Sequence, residues 1–150
     1  MRDQYPLPQL LLKALRATGE LLRGRIALGR IKPNDVLERN RRVAVRLSGS
    51  APRTSSANVA RSTAEAAFFI NRMAARVPWR ADCLVQALAG QNWLAREGII
   101  SEIVVGTAKR PDGTFESHAW LRQQGRIVLG GDISTYQPLL DPDGGFQFPD

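Results

Sequence analysis

The strongest constraint in this sequence is a change of period near Gly98. Before it, apolar residues recur every three to four positions; after it, they alternate or gather in short β-branched runs. Helical and pleated stretches held in separate halves of one chain predict helices packed on an antiparallel meander, an α+β fold. In the second half Ile103, Val104 and Val105 read as a strand, Pro111, Asp112 and Gly113 as a turn, and residues 115–121 alternate. Gln123, Gln124 and Gly125 make a hairpin turn, residues 126–129 return as a strand, and residues 141–145 read as loop or tail.

Four helices are expected before the switch. Leu11, Leu15, Leu22 and Ile26 keep helical spacing over residues 9–30, with cations on the other faces, although Gly19, Gly24 and Gly29 weaken the helix. Pro33, Asn34 and Asp35 open a second helix that runs to about Leu47. Residues 48–56, rich in Ser with Gly49 and Pro52, read as a loop dividing a helical arm at 1–50 from a domain at 51–150. In the third helix Val59, Thr63, Ala66, Ala67, Ile70, Met73, Ala74 and Val77 form one stripe. Arg61, Glu65, Arg72 and Arg76 lie off it, Ser55 or Ser56 is the N-cap, and Pro78 is the stop. Asp82 is the expected N-cap of a fourth helix beginning at Cys83, with Leu84, Ala87, Leu88, Gln91, Leu94 and Ala95 on its buried face and Gly98 at its end.

Composition narrows the function classes. The 150 residues are 43% hydrophobic and 23% charged, which fits one globular domain and excludes wholesale disorder. A single cysteine, Cys83, and a single histidine, His118, exclude a disulfide framework and a Cys/His zinc site, so neither metal nor other cofactor is expected. A lone thiol, no apolar run of membrane-spanning length and no signal-peptide pattern together point to the cytoplasm. The 21 Lys and Arg against 14 Asp and Glu give a net +7, attractive to nucleic acid, an anionic membrane surface or an acidic peptide, or else a solvated face. No glycine-rich loop with a lysine is present to cradle phosphates.

Three residues can carry chemistry. Backbone N–H groups and the helix dipole stabilise a thiolate in the first turn of a helix, where Cys83 is expected. A cysteine nucleophile needs an imidazole to take its proton, and the imidazole needs an orienting acceptor. His118 shares a strand face with Glu116 and Trp120. A hairpin turning at Gln124-Gly125 sets position 131 or 132 opposite His118, and Asp132 stands there. The plain alternative is a buried small thiol beside an inert histidine.

The segment RADCLVQALAGQNWLAREGI, a Val-rich strand ending at Gly106, and then FESHAWLRQQGRIVLGGD resemble the transglutaminase-like cysteine peptidases. The similarity is greatest to the branch of stand-alone leader peptidases that mature lasso peptides, carried by Cys83-Leu84, residues 96–99, Gly106 and His118-Ala119-Trp120. The resemblance spans about residues 57–140. It implies a papain-like core, a triad of Cys83, His118 and Asp132, and removal of a leader from a ribosomally made precursor. It further implies a separate leader-binding protein that delivers the substrate and a cyclase that acts next, because the first 50 residues do not look like the small β-rich leader-binding domain of fused members. Leu121, Arg122 and Gln86 depart from the family pattern.

Two other classes compete with this expectation. One is a transglutaminase-like amidase or acyltransferase on another substrate, since a triad does not choose its acceptor. The other is a non-catalytic basic module that uses the arginine-rich first half on an acidic partner.

Overall fold

The computed structural model describes residues 5–49, 55–141 and 145–146. Helices α1 (Leu7–Leu28), α2 (Pro33–Ser48), α3 (Ser56–Ala74) and α4 (Cys83–Arg96) precede strands β1 (Glu102–Lys109), β2 (Phe115–Gln123), β3 (Arg126–Leu129), β4 (Gln137–Asp141) and β5 (Gly145–Phe146). The strands form one antiparallel sheet in the order β3-β2-β1-β4-β5, so the fold is α+β, consistent with a transglutaminase-like core. Asp141 and Gly145 therefore sit in strands, where their turn-rich neighbourhood had predicted loop. Pro138 conceals β4 in the sequence; it pairs with Gly106 next to an irregularity between Val105 and Gly106, the kind of place where a strand tolerates proline.

Helix α4 is the centre of the molecule. Val85, Ala87, Leu88, Ala89, Trp93 and Leu94 are all buried, far more of the circumference than the single expected face. Small residues permit that enclosure. A Cβ on Gly90 would lie 2.5 Å from Leu129 Cδ1 and 2.7 Å from Leu121 Cδ2, so α4 rests directly on the sheet there. A Cβ on Gly24 would lie 2.8 Å from the Val85 carbonyl oxygen, which makes Gly24 the crossing point of α1 over α4. What looks like a weakness in α1 is the contact that places it.

That crossing also corrects the reading of α1. Its core face is Ala17, Glu20, Leu21 and Gly24, whereas Leu11, Leu15, Leu22 and Ile26 are 65%, 67%, 44% and 53% exposed. Both faces have helical spacing, and close approach to α4 selects the one with small residues. In α3 the expected stripe holds at Ala66 and Ile70, but Phe69 and Glu65 are buried as well. Ser55 is the N-cap, its hydroxyl accepting from the Asn58 N–H.

Glu65 fastens α1 to α3. It accepts hydrogen bonds from Tyr5, Lys13 and Arg61, and its side chain is 8% exposed. Burial alone raises a carboxyl's pKa, but the hydrogen bonds from Lys13, Tyr5 and Arg61, with the Lys13 charge, together hold Glu65 below its ordinary 4.5. A depressed folded pKa stabilises the fold above the unfolded value and ceases to do so as pH falls through the folded one. Glu65→Gln should therefore lower stability at neutral pH by about 1–3 kcal/mol and flatten the loss of stability below pH 4.5. Urea unfolding at pH 7 and in acid measures both; an unchanged acid limb would show that the pairing does not contribute.

Helix α2 is tied to the sheet by an amide. The Asn40 side chain donates to the Ile103 carbonyl at 2.8 Å and accepts from the Ile103 N–H at 3.0 Å, standing in for a neighbouring strand beyond the reach of β4. Gln91 of α4 donates to Asn40 Oδ1 at 2.8 Å and to the Ser101 carbonyl at 3.1 Å, so helix, strand and helix are cross-linked inside the core.

Candidate active site

Cys83 is the first residue of α4 and is partly buried. Asp82 is the N-cap with extended backbone, as expected, but its side chain accepts no capping bond and instead meets Arg80 Nε at 3.3 Å. The first-turn N–H groups of α4 are thus left without a side-chain acceptor beside the thiol. Such open donors can stabilise a thiolate or an oxyanion.

His118 lies on β2 opposite Gly106 of β1 and is half-buried. Its Nε2 is 2.7 Å from the Gly130 carbonyl oxygen. A carbonyl only accepts, so the hydrogen bond requires the proton on Nε2 and leaves the Nδ1 lone pair able to take a proton. The ring packs against Tyr136, with centroids 4.9 Å apart, and against Trp120 at 6.2 Å.

The hairpin that delivers Gly130 turns where expected but ends early. Gln123 pairs with Arg126 and Arg122 with Ile127; the register then slips by one, so that Leu121 faces Leu129, and the ladder stops. Gly130 and Gly131 follow with φ of +121° and +66°, a course open to glycine and strained for other residues. A Cβ on Gly130 would sit 2.3 Å from Trp120 Cβ, so the chain presses onto β2 at this point and presents its carbonyl to the ring.

Asp132, two residues on, is exposed, and its Oδ1 accepts the Ser134 N–H at 2.9 Å. That backbone bond, followed by a bond from the Ser134 side chain, holds its carboxyl below the ordinary 3.8. The ring hydrogen bond of His118 thus goes to Gly130 and not to Asp132.

Tyr136 packs against the His118 ring. Its phenol is raised above the ordinary value, first by burial, then by the Glu116 charge and hydrogen bond, and also by the charge of Cys83, while Arg110 lowers it. Arg110 in turn holds Glu116 through Nη2 at 2.7 Å. The tyrosine therefore borders the His118 ring and lies within electrostatic reach of the thiol. No hydrogen bond joins Cys83 to His118 among the described residues, although such bonds are often long before substrate arrives. Gly130 and Tyr136 escaped the sequence reading. The paired glycines after β3 were a usable signal for the first; Tyr136 lies outside any periodic pattern.

Among the described residues no three His, Cys, Asp or Glu side chains gather as a metal site, and no helix is long and apolar enough to cross a membrane. No match was found among curated proteins or among solved structures. The profile of the transglutaminase-like superfamily, whose members are typically cysteine peptidases or acyltransferases, matches residues 28–141, from the last residue of α1 through β4. With the match spanning the helix that Cys83 opens, the His118 strand and the Gly130 turn, the chain belongs to the transglutaminase-like superfamily.

Proposed function

We propose that the protein is a cytoplasmic cysteine peptidase that removes the leader from a ribosomally made lasso-peptide precursor, with a separate leader-binding protein delivering the substrate and a cyclase consuming the product. One observation carries the chemistry: in a chain of this superfamily, the only cysteine opens α4 and the only imidazole is held with its Nε2 proton on a carbonyl. The resemblance of residues 80–132 to stand-alone leader peptidases supports the substrate class.

In this reading Cys83 gives its proton to His118 Nδ1, and Sγ attacks the scissile carbonyl. The resulting oxyanion is met by the Cys83 N–H at the start of α4. The leaving amine takes the proton from the imidazolium, and water, deprotonated by the same nitrogen, releases the acyl group and restores the thiol. Gly130 keeps the ring oriented, and Asp132, an exposed carboxylate two residues further on, is the group this reading assigns to balance the imidazolium charge.

The test mixes the protein with a leader-bearing precursor and its binding partner, adds a primary amine, and reads product masses. A peptidase yields two fragments that together weigh the precursor plus one water. An amide linked to the added amine would favour acyl transfer instead, and absence of both products with intact folding would leave the basic binding module.

His118→Ala should lower kcat at least a hundredfold, the ordinary scale of general acid–base catalysis. Asp132→Asn should cost about tenfold, because the amide oxygen still accepts from Ser134 but carries no charge for the imidazolium. Full activity in Asp132→Asn would remove that residue from the relay and leave orientation to Gly130 alone.

A further inference from the structure

A second site lies away from the thiol, between the end of α1, the outer face of α2 and the end of α4. It is a cleft of about 870 Å³ into which Arg30, Arg39, Arg42, Arg46 and Arg96 converge, with Asp35 as the one acidic lining residue among those described. Arg39, Arg42 and Arg46 stand at i, i+3 and i+7, so one face of α2 carries three guanidinium groups along about 10 Å of helix.

These charges are poorly neutralised. Arg39 is anchored by neutral amides, its Nε donating to Gln91 and its Nη2 to Asn92, both at 2.6 Å. Among the described residues no carboxylate pairs with Arg30, Arg39 or Arg46. Asp35 accepts the Lys32 N–H at 2.7 Å. Arg42 approaches Glu38 at 3.5 Å with both groups largely in water, and Arg96 reaches Glu20 at 3.0 Å. Burial first, and then the charges of Arg42 and Arg46, pushes the Arg39 guanidinium below its ordinary value, a desolvation and like-charge cost that a bound anion would ease.

We infer that this cleft is a docking site for an acidic peptide segment in extended conformation. The chemistry of the lining favours carboxylates on a peptide over a nucleic acid. Between the arginines the lining is apolar, made by Ala27 and Ile31 over the edges of the buried Val43 and Ala95, and it can take the alternate side chains of a strand. Among the described residues no aromatic side chain lines it, whereas single-stranded nucleic acids are held by stacking on aromatic rings. Same-side carboxylates on an extended chain recur every ~6.6 Å, close to the ~6 Å rise from Arg42 to Arg46. Arginine forks accept carboxylates in paired hydrogen bonds, which gives such a site more selectivity than bare charge.

The inference deepens the peptidase reading, as a place where an acidic stretch of substrate or delivery protein is held, but its test reads binding alone and stands apart from any cleavage result. Fluorescence anisotropy of the full chain with a fluorescein-labelled octapeptide of alternating Glu and Leu should show binding that weakens with salt. A Ser–Leu octapeptide should not bind. The double variant Arg42→Glu/Arg46→Glu should lose at least tenfold in affinity. Arg72→Glu/Arg76→Glu, an equal charge change at and just beyond the end of α3 and away from the cleft, should lose less than twofold. If the α2 variant fails to give a cooperative melt, Arg30→Glu in the α1–α2 connection reads the same cleft and should lose at least threefold. Equal losses in the α2 and α3 pairs would overturn the site in favour of diffuse charge. Tighter, Arg42/Arg46-dependent binding of an oligodeoxythymidylate or of tripolyphosphate than of the Glu–Leu peptide would overturn the peptide assignment.

Discussion

Cys83→Ala should reduce cleavage of a leader-bearing precursor by at least about a thousandfold, because in this reading the thiol is the group that forms the acyl-enzyme. The fold should survive. Cys83 is partly buried at the first position of α4, and the nine buried residues that anchor the helix, from Val85 to Ala95, all lie downstream. Alanine propagates a helix well, so the stability change should stay within about 1 kcal/mol. The decisive experiment compares wild type, Cys83→Ala and Cys83→Ser by product mass under single-turnover conditions, with melting curves for all three. Serine in the same geometry is a far weaker nucleophile and should be nearly as inactive as alanine. Undiminished cleavage by Cys83→Ala would eliminate the thiol mechanism. A large loss of stability would make the activity result uninterpretable for Ala, and the near-isosteric Cys83→Ser would then carry the test.

The residues that fix this site were unevenly legible in the sequence, and the reasons are physical. Period gives element type directly, since 3.6 and 2 are properties of the backbone, and the switch after Gly98 separated α4 from β1 correctly. Local signals placed the start of α4 as well. Asp82 is in the N-cap position, and Cys83 falls where the dipole argument needs it. Facing was harder, because periodicity says that a stripe exists and not what lies against it. On α1 the leucine stripe looks outward and Gly24 looks in, a choice made by how closely α4 can approach. Glu65 shows the same limit: a carboxylate reads as surface until Tyr5 and Lys13, distant in the chain, join Arg61 of its own helix around it.

The His118 partner illustrates the finest grain. Hairpin arithmetic assumes an unbroken ladder. Here pairing ends at Leu129, so Gly130 turns in beside the ring and Asp132 falls on the following turn. The paired glycines mark an unusual backbone course, but which group their carbonyls meet has no sequence signature, so only the structure brings Gly130 to the His118 ring. The same applies to the arginines of α2, whose charge is plain in the sequence. Their convergence with Arg30 and Arg96 depends on how α1, α2 and α4 pack, and the Asn40 and Gln91 amides help fix that packing.

Gly130→Ala should then damage fold and chemistry together, the largest combined effect expected of any single methyl group here. Its φ of +121° lies where an L side chain is strained, and the new Cβ would come within 2.3 Å of Trp120 Cβ and 3.0 Å of Trp120 Cα. Trp120 cannot yield readily, being 2% exposed on a strand paired along its length with β1. Overpacking and backbone strain each cost about 1–3 kcal/mol, a sum that lowers the melting temperature by roughly 10 °C in a domain of this size. The chain relieves the clash most easily by lifting away from β2, which withdraws the carbonyl that holds His118 Nε2. In the fraction that folds, kcat should therefore fall with KM little changed, since orientation of the base is lost and not substrate contact. Gly131→Ala is the control. Its φ of +66° is also left-handed, but nothing lies within 4 Å of a Cβ there, so it should cost about 1–2 kcal/mol and leave kcat within about twofold of wild type. Equal melting temperatures for the two variants would show that β2 gives way at Trp120. A Gly130→Ala enzyme with normal kcat would show that His118 is oriented by something other than this carbonyl.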